Sequence, residues 1–419
     1  MGEQKIVYII GAGISGLIAA YELEKKGYFP IIIEKSNELG GRVKTIKEKG
    51  YALDLGFQVI LTAYPLVKKY LDLDSLNLCK LESGALIYTN GSSYRIGDPS
   101  RNWKLLIPTL IADIGSIKDK LKVLKLNNKL KVKSIEEIFN SPETTTYEYL
   151  LNFGFSKKII DRFFQPFFAG IFLESDLKTS SRMFEFVYKM FGNGYATIPK
   201  LGIGEISKQL SNKLQNTRFI FNSEVKKVKD NLIVLSSGND IPHNGVIVTS
   251  NHSSLIDDSL NFEKNITDSW KGCICYYFDV DKTNIPTRTI ALVSDNKTYI
   301  NNLYAYKDHD SGRNILSVTV LKNVKIEDEK EVTEMITSEI KNYTGAKKVK
   351  YIHHYRINKA LPDLHDLKST YAKGKSKISE NIFLAGDSLL NGSLNAAMES
   401  GALAANDVIR DKGNFASNK

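Results

Sequence analysis

Cysteine, tryptophan, histidine and proline are all scarce: the 419 residues hold three Cys, two Trp, six His and ten Pro. Cys79, Cys273 and Cys275 are too few for a disulfide framework, and they point to a reducing compartment, with the cytoplasm the expected location. Cys273 and Cys275 stand two apart in an apolar run, which puts both on one strand face as small hydrophobes. His243, His252, His309 and His365 are scattered in loops, and His353 and His354 fall on opposite faces of a strand. No spacing of metal ligands occurs, so no metal is expected. Long apolar runs are missing too. The stretch Ile6–Tyr21 is uncharged, but it contains Gly11, Gly13 and Gly16 and is too short to cross a bilayer. It lacks a small-residue cleavage site, so no signal peptide is expected. Ile6 stands where a myristoylation signal needs Ser or Thr after Met1-Gly2. A net charge of +10 invites a nucleic-acid reading. No helix-turn-helix pattern, zinc-finger spacing or aromatic-basic strand accompanies it, so no nucleic-acid partner is expected.

What is present is material for a sizeable core, with 42% hydrophobic residues, and a length that favours two domains. The first 35 residues carry the clearest pattern. Lys5–Ile10 is apolar on both faces, as a central parallel strand must be. Gly11-Ala-Gly13-Ile14-Ser15-Gly16 follows, then a helical stripe over Leu17–Lys26, a stop at Gly27, and a second apolar strand, Phe29–Ile33, ending on Glu34. Gly11 permits the tight turn, Gly13 lets a pyrophosphate approach the backbone, and Gly16 lets the helix pack on the strand. The helix N-terminus then offers N–H donors to the anion. Glu34 can accept from ribose hydroxyls and would repel a 2′-phosphate, which disfavours NADP. The pattern predicts a dinucleotide-binding βαβ unit.

The second strand runs into Lys35 and then Gly40-Gly41-Arg42, a loop suited to passing close to a pyrophosphate with a guanidinium beside it. Asp54-Leu-Gly56-Phe57-Gln58 comes next. Near the other end, Asn381–Ala385 reads as a buried strand ending in Gly386-Asp387, and a helix begins near Ser393-Leu394. With these motifs the chain resembles the flavin-containing amine oxidase superfamily, which includes monoamine oxidases, protoporphyrinogen oxidases and the phytoene desaturase and carotenoid isomerase group. The resemblance is strongest over residues 5–60 and 380–406. It implies FAD as the cofactor, bound through Gly11, Gly13, Ile14, Ser15, Gly16, Glu34, Lys35, Gly41, Arg42, Gly56, Phe57, Gln58, Val225, Gly386, Asp387, Ser393 and Leu394. In the family the aspartate holds the ribityl and phosphate region, and the last helix points its N-terminus at the flavin pyrimidine, where reduced flavin is negative. An NAD-only dehydrogenase would not need that second motif.

The implied fold class is α/β: a Rossmann-type, GR2-like FAD-binding domain with a discontinuous α+β substrate domain. We divide the chain into FAD-binding parts at 1–80, 196–255 and 353–419, a helical substrate part at 81–195 and a sheet part at 256–352. Within these we expect strands near Leu86–Thr89, Phe219–Asn222, Gly272–Val280, Thr289–Val293 and Ile315–Leu321. A hairpin and strand are expected between Ile233 and Val248, and helices over Glu205–Leu214 and Glu329–Tyr343. Pro199, Gly202 and Gly204 resemble the family's turn back into the FAD domain.

The implied activity is FAD-dependent dehydrogenation of a small, hydrophobic molecule at a C–C or C–N bond. The alternatives are amine oxidation and a flavin-dependent isomerase or mutase without net redox change. FAD itself accepts the hydride, so no catalytic side chain is assigned. Amine oxidases of the superfamily commonly keep a lysine near the flavin. Lys271 is close to that place but one position off, which turns a strand side chain to the wrong face. No cysteine follows Cys275, so FAD is expected to be non-covalent. The aromatic run through Phe163, Phe164, Phe167, Phe168 and Phe172, then Phe184, Phe186, Tyr188 and Phe191, reads as a helical core, with an elongated substrate cavity the second reading. Over residues 118–133 seven lysines interleave with Leu121, Val123, Leu124, Leu126, Leu130 and Val132. The spacing predicts a solvated helix whose lysines flank a core stripe; peripheral binding to anionic lipid is the alternative.

Overall fold

The architecture is taken from a computed structural model, which describes residues 5–250, 252–257, 269–295, 297–321 and 329–414. Met1-Gly2 and residues 258–268 of the expected sheet part lie outside that set.

The two chain ends meet in a five-stranded parallel sheet in the order Arg218–Ile220, Phe29–Ile33, Ile6–Ile10, Val246–Val248, Ile382–Leu384. Ile6–Ile10 has parallel neighbours on both sides and buries Val7, Ile9 and Ile10, which is why this strand must be apolar on both faces. The helix Ile14–Glu24 begins three residues earlier than the apolar stripe suggested. It packs against the C-terminal helix Leu394–Asn414 at very close range: a Cβ on Gly401 would lie 2.3 Å from the Ser15 carbonyl oxygen.

A seven-stranded sheet runs Val349–Pro362, Trp270–Val280, Asn314–Val320, Ile300–Lys307, Ile290–Val293, Gly84–Thr89, Ser92–Gly97. The helix Glu329–Thr344 covers one face through Val332, Ile336 and Ile340. Cys275 is buried and Cys273 half-buried on one side of the second strand, and all three cysteines are free thiols. Burial pushes the Cys273 thiol up to about 12. In the outermost strand His354 stacks on Tyr276 and His353 abuts Tyr355, but the two imidazoles also stack on each other with centroids 6.1 Å apart, so they do not diverge to opposite faces as expected.

Between these sheets in sequence lies a helical region, residues 103–193. Its short helices are set by repeated capping boxes: Ser116 with Asp119, Ser134 with Glu137, Thr145 with Glu148, each satisfying two otherwise unpaired N–H groups. The aromatic run interlocks as core. Phe164, Phe168, Phe172, Phe184 and Phe186 are buried, with ring centroids as close as 4.7 Å for Phe168–Phe184. Phe163, Phe167, Tyr188 and Phe191 pack against them half-buried.

The lysine-rich segment corrects its expectation. The helix Ile117–Val132 does have a core stripe, but only Leu126 and Leu130 of the expected set are buried in it. Leu121, Leu124 and Val132 are 60%, 50% and 83% exposed. At about 100° per residue they lie on the opposite side of the helix, so one residue pattern was reporting two faces.

Candidate cofactor cleft

The three glycines of the first turn stand there for three separable reasons. Gly11 has φ +106°, a conformation side chains disfavour. A Cβ on Gly16 would sit 2.1 Å from the Gly11 carbonyl oxygen, so only glycine lets helix and strand meet. Gly13 has neither constraint. Its φ is −77°, open to most residues, and a Cβ there would meet nothing within 4 Å. Nothing in the chain requires glycine at that position, yet it caps the helix whose next residues, Ile14 and Ser15, are buried. A cradle left clear above a helix N-terminus suits a phosphate or diphosphate. The Gly40–Gly41 loop is held against it: Gly40 N–H donates to the Ala12 carbonyl at 2.9 Å, and Gly13 and Gly40 form a β-bridge.

Glu34 ends the second strand, mostly buried. Its carboxylate accepts from Ala12 N at 2.8 Å and from Ser36 N and Oγ at 2.9 and 2.8 Å, which aims it at the mouth of the glycine turn. Lys35 beside it is exposed. Val225 begins a strand at the same edge, reached through Ser223, whose N–H donates to the Glu34 carbonyl at 3.0 Å.

Arg42 and Asp387, 345 residues apart, form a bidentate pair, with Nη1 to Oδ2 at 2.9 Å and Nη2 to Oδ1 as the second bond. Nη1 also donates to the Ala360 carbonyl at 3.2 Å, and the guanidinium lies over the Trp270 ring, 5.3 Å from its centroid. Burial works against the guanidinium charge, but the Asp387 carboxylate outweighs it and raises the Arg42 pKa. Gly386 has φ +140° and donates its N–H to Ser400 Oγ at 2.9 Å. Ser393 precedes the last helix, accepts from Ala396 N at 3.0 Å, and is itself oriented by donating to Asn391 Oδ1 at 2.7 Å. This side chain occupies the cap and leaves the first-turn amides near Leu394 as the free donors.

Gly56 turns with φ +86° against Ile357. Phe57 meets the Tyr304 ring at 5.3 Å, and Gln58 Nε2 donates to the carbonyls of Arg42 and Leu55 at 2.8 and 2.9 Å. Asp54 is the unusual group here. Burial pushes its carboxyl up to about 6, against hydrogen bonds from Thr45 Oγ1 at 2.6 Å and Ile203 N at 2.9 Å that favour ionisation.

Sequence reasoning placed the glycines, Arg42 and Asp387 but missed three supports. Trp270, one of only two tryptophans, stacks on Arg42. Ala360 supplies a carbonyl from the far sheet. His252, assigned to a loop, starts the short helix His252–Leu255 and donates from Nε2 to the carbonyls of Ala385 at 2.7 Å and Val248 at 3.2 Å, bracing the chain before Gly386. Burial lowers its pKa, which suits a neutral donor. Lys271 is withdrawn from free chemistry: its ammonium bonds Glu174 at 2.6 Å and Thr179 at 3.0 Å and pairs with Asp363 at 3.4 Å. The sheet register shifts between Lys271 and Cys273. Among the described residues no cluster of His, Cys, Asp and Glu could hold a metal ion.

A parallel sheet whose first turn leaves a cradle clear, joined to a second chain end by an arginine–aspartate latch, defines a dinucleotide-binding α/β protein with an attached mixed sheet. Residues 14–409 match the flavin-containing amine oxidoreductase family, and the chain belongs to it. Its cofactor is FAD. Among curated proteins it is similar to an L-amino-acid oxidase of Crotalus adamanteus, 30% identical over 158 residues, which are 36% of this chain and 31% of that one. Protoporphyrinogen oxidase 2 of Arabidopsis thaliana is 26% identical over 171 residues, 40% of this chain and 32% of that one. The match therefore spans about a third of the length of these relatives. Solved structures share the fold over nearly the whole chain. Putrescine oxidase bound to putrescine has a TM-score of 0.71 at 17% identity, covering 97% of this chain and 99% of its own. A reduced UDP-galactopyranose mutase has a TM-score of 0.65 at 16% identity, covering 100% and 96%.

Proposed function

We propose that this chain is an FAD-dependent oxidoreductase that dehydrogenates a small hydrophobic molecule at a C–C or C–N bond by hydride transfer, with FAD held non-covalently. Residues 1–80, 196–255 and the remainder of 353–419 form the Rossmann-type FAD-binding domain, and 81–195 with 256–352 the substrate domain, whose seven-stranded sheet keeps the whole strand Val349–Pro362 and so moves the expected boundary past 353. The observation that carries the reading is the open cradle at Gly13, a glycine that neither its φ nor its packing demands.

When bound, FAD supplies the acceptor for the hydride. The chain does the rest. Backbone N–H groups of Gly13, Ile14 and Ser15 at the helix N-terminus bind the diphosphate, with Gly11 and Gly16 shaping the turn. Glu34 accepts from ribose hydroxyls, flanked by Lys35, and the backbone at Val225 meets the adenine. Gly41 and Arg42 cover the diphosphate, and Gly386 and Asp387 bind the ribityl end. The amides beyond Ser393 and at Leu394 face the pyrimidine, where their positive field favours charge gained on reduction. Gly56, Phe57 and Gln58 line the ring edge and, with Tyr304, exclude water. A bound Lys271 argues against amine oxidation through a free lysine. Peripheral contact with a membrane belongs to the same reading, because an apolar substrate partitions there.

The test is the absorbance spectrum of the purified protein followed by an anaerobic screen of apolar amines and alicyclic compounds. A yellow protein bleached by one of them is expected. Turnover only after pre-reduction, with no net electron consumption, would replace this reading with an isomerase or mutase. A colourless protein that takes up no added FAD would overturn it.

A further inference from the structure

Nine apolar side chains stand in water on one side of the helical region. Trp103, in the 3₁₀ turn Trp103–Leu105, and Leu106, Ile107, Leu110 and Ile111, in the helix Leu106–Ile111 that continues it, are 77%, 47%, 68%, 49% and 76% exposed, the four in the helix at the i, i+1, i+4, i+5 spacing of one face. Across a short turn, Ile117, Leu121, Leu124 and Val132 form the outward stripe of the next helix. Lys120 ties the two segments together, donating from Nζ to the carbonyls of Leu110 at 2.7 Å and Ala112 at 2.9 Å. Scattered exposed hydrophobics are ordinary; nine on two adjoining segments, broken on the outward face only by Asn128, mark a partner.

The charges say which partner. Residues 103–133 carry eight lysines and two aspartates. Asp119 is buried under hydrogen bonds from Ser116 and Ser156, and Asp113 is engaged by Lys158 and Arg162. At about 100° per residue, Lys118 and Lys125 flank one edge of the outward stripe and Lys120 and Lys131 the other. An apolar stripe with lysines along both borders is the pattern of a helix lying in an anionic interface, with lysine stems able to reach the headgroups. A second copy of this chain would bring the same lysines face to face.

We propose that residues 103–132 form the surface by which this protein docks on an anionic lipid membrane, Trp103, Ile107, Ile111, Ile117 and Leu121 entering the interface and the flanking lysines pairing with headgroups. This deepens the peripheral membrane contact of the proposed function by giving its surface and its lipid charge, and it rests on that surface and not on the proposed reaction.

The test uses the full chain with its flavin and sedimentation with vesicles, at about 0.1 M salt so that screening resembles physiological conditions. With vesicles of phosphatidylcholine and phosphatidylserine the protein should pellet, and the Trp103 emission should shift to shorter wavelength, a shift missing in Trp103→Phe. Vesicles of phosphatidylcholine alone should bind at least tenfold more weakly. The double variant Ile107→Ser, Ile111→Ser and the triple variant Lys118→Glu, Lys125→Glu, Lys131→Glu should each lose binding, the latter on the order of 100-fold, while melting temperature and flavin content stay unchanged. Wild-type protein left in the supernatant with anionic vesicles would overturn the proposal. So would variants that bind as well as wild type, or isoleucine variants that only convert a dimer to monomers. Absence of flavin would sink the proposed reaction and leave the sedimentation result standing.

Discussion

At the glycine turn the chain withholds a side chain where its own structure would accept one; along residues 103–132 it places large apolar side chains where its own structure offers nothing to bury them. Gly13 gives up the conformational restraint a Cβ would bring, about 0.5–1 kcal/mol. Each exposed isoleucine or leucine forgoes the roughly 1.5–3 kcal/mol that burial contributes. Neither choice is explained inside the molecule, and both are explained by the proposed ligands, a diphosphate at Gly13 and a lipid surface along residues 103–132. By contrast, Gly16 and Leu126 have complete intramolecular reasons: a Cβ added at Gly16 would sit 2.1 Å from the Gly11 carbonyl oxygen, and Leu126 is fully buried. A residue whose cost has no internal return is the informative one.

Matched substitutions break or sharpen this contrast. The largest effect is expected in the first turn. Gly16→Val should prevent folding, because the Gly11 carbonyl cannot move without breaking the sheet. Gly13→Val should fold with nearly unchanged stability and purify without flavin, read by absorbance and a thermal melt on the same samples. Retained flavin in Gly13→Val would show that the cradle is misassigned. On the helix Ile117–Val132, Leu126→Ala should cost about 2–5 kcal/mol, whereas Leu124→Ala should stay within about 0.5 kcal/mol and change only vesicle binding. Denaturant unfolding separates them. At the latch, Asp387→Ala leaves Arg42 unpaired. Because the guanidinium is partly exposed, the loss should be about 2 kcal/mol, below that of a fully buried pair, with weakened flavin retention as the second readout.

Legibility in the sequence followed the same division. Two of the parallel sheet's three inner strands, Ile6–Ile10 and Phe29–Ile33, were readable because a central strand is apolar on both faces, and the glycine turn because three glycines at fixed spacing have distinct mechanical jobs. The latch between Arg42 and Asp387 could not be derived from periodicity; two residues 345 apart become neighbours only through the sheet order. Trp270, Ala360 and His252 were missed because a stacking ring, a carbonyl and a neutral imidazole donor have no sequence pattern. The lysine-rich helix failed for another reason. A core stripe and an exposed stripe about 180° apart both contribute leucines to one run, and hydropathy cannot say which faces inward. Lysines on both borders of Leu121 and Leu124, against lysines on one side only of Leu126, were the available signal.

The smallest prediction separates the two regions by pH. Asp54 is raised in the folded state to about 6 from an ordinary 3.8, so between those values the folded protein binds a proton that the unfolded chain has released. Stability contributed by the protonated form is therefore present at low pH and lost as pH rises from about 4 through 6. Asp54→Asn keeps an acceptor for Thr45 and Ile203 and removes the titration. It should flatten the fall in melting temperature over that window and stabilise the protein near pH 7 by on the order of 1 kcal/mol. The docking surface carries lysines, and its one exposed carboxylate, Asp113, is paired with Lys158 and Arg162, whose hydrogen bonds hold it below its ordinary range, so vesicle binding by the same variant should match wild type at every pH in the window. A parallel drop in vesicle binding would mean that the two regions are coupled and that the contrast between them is false.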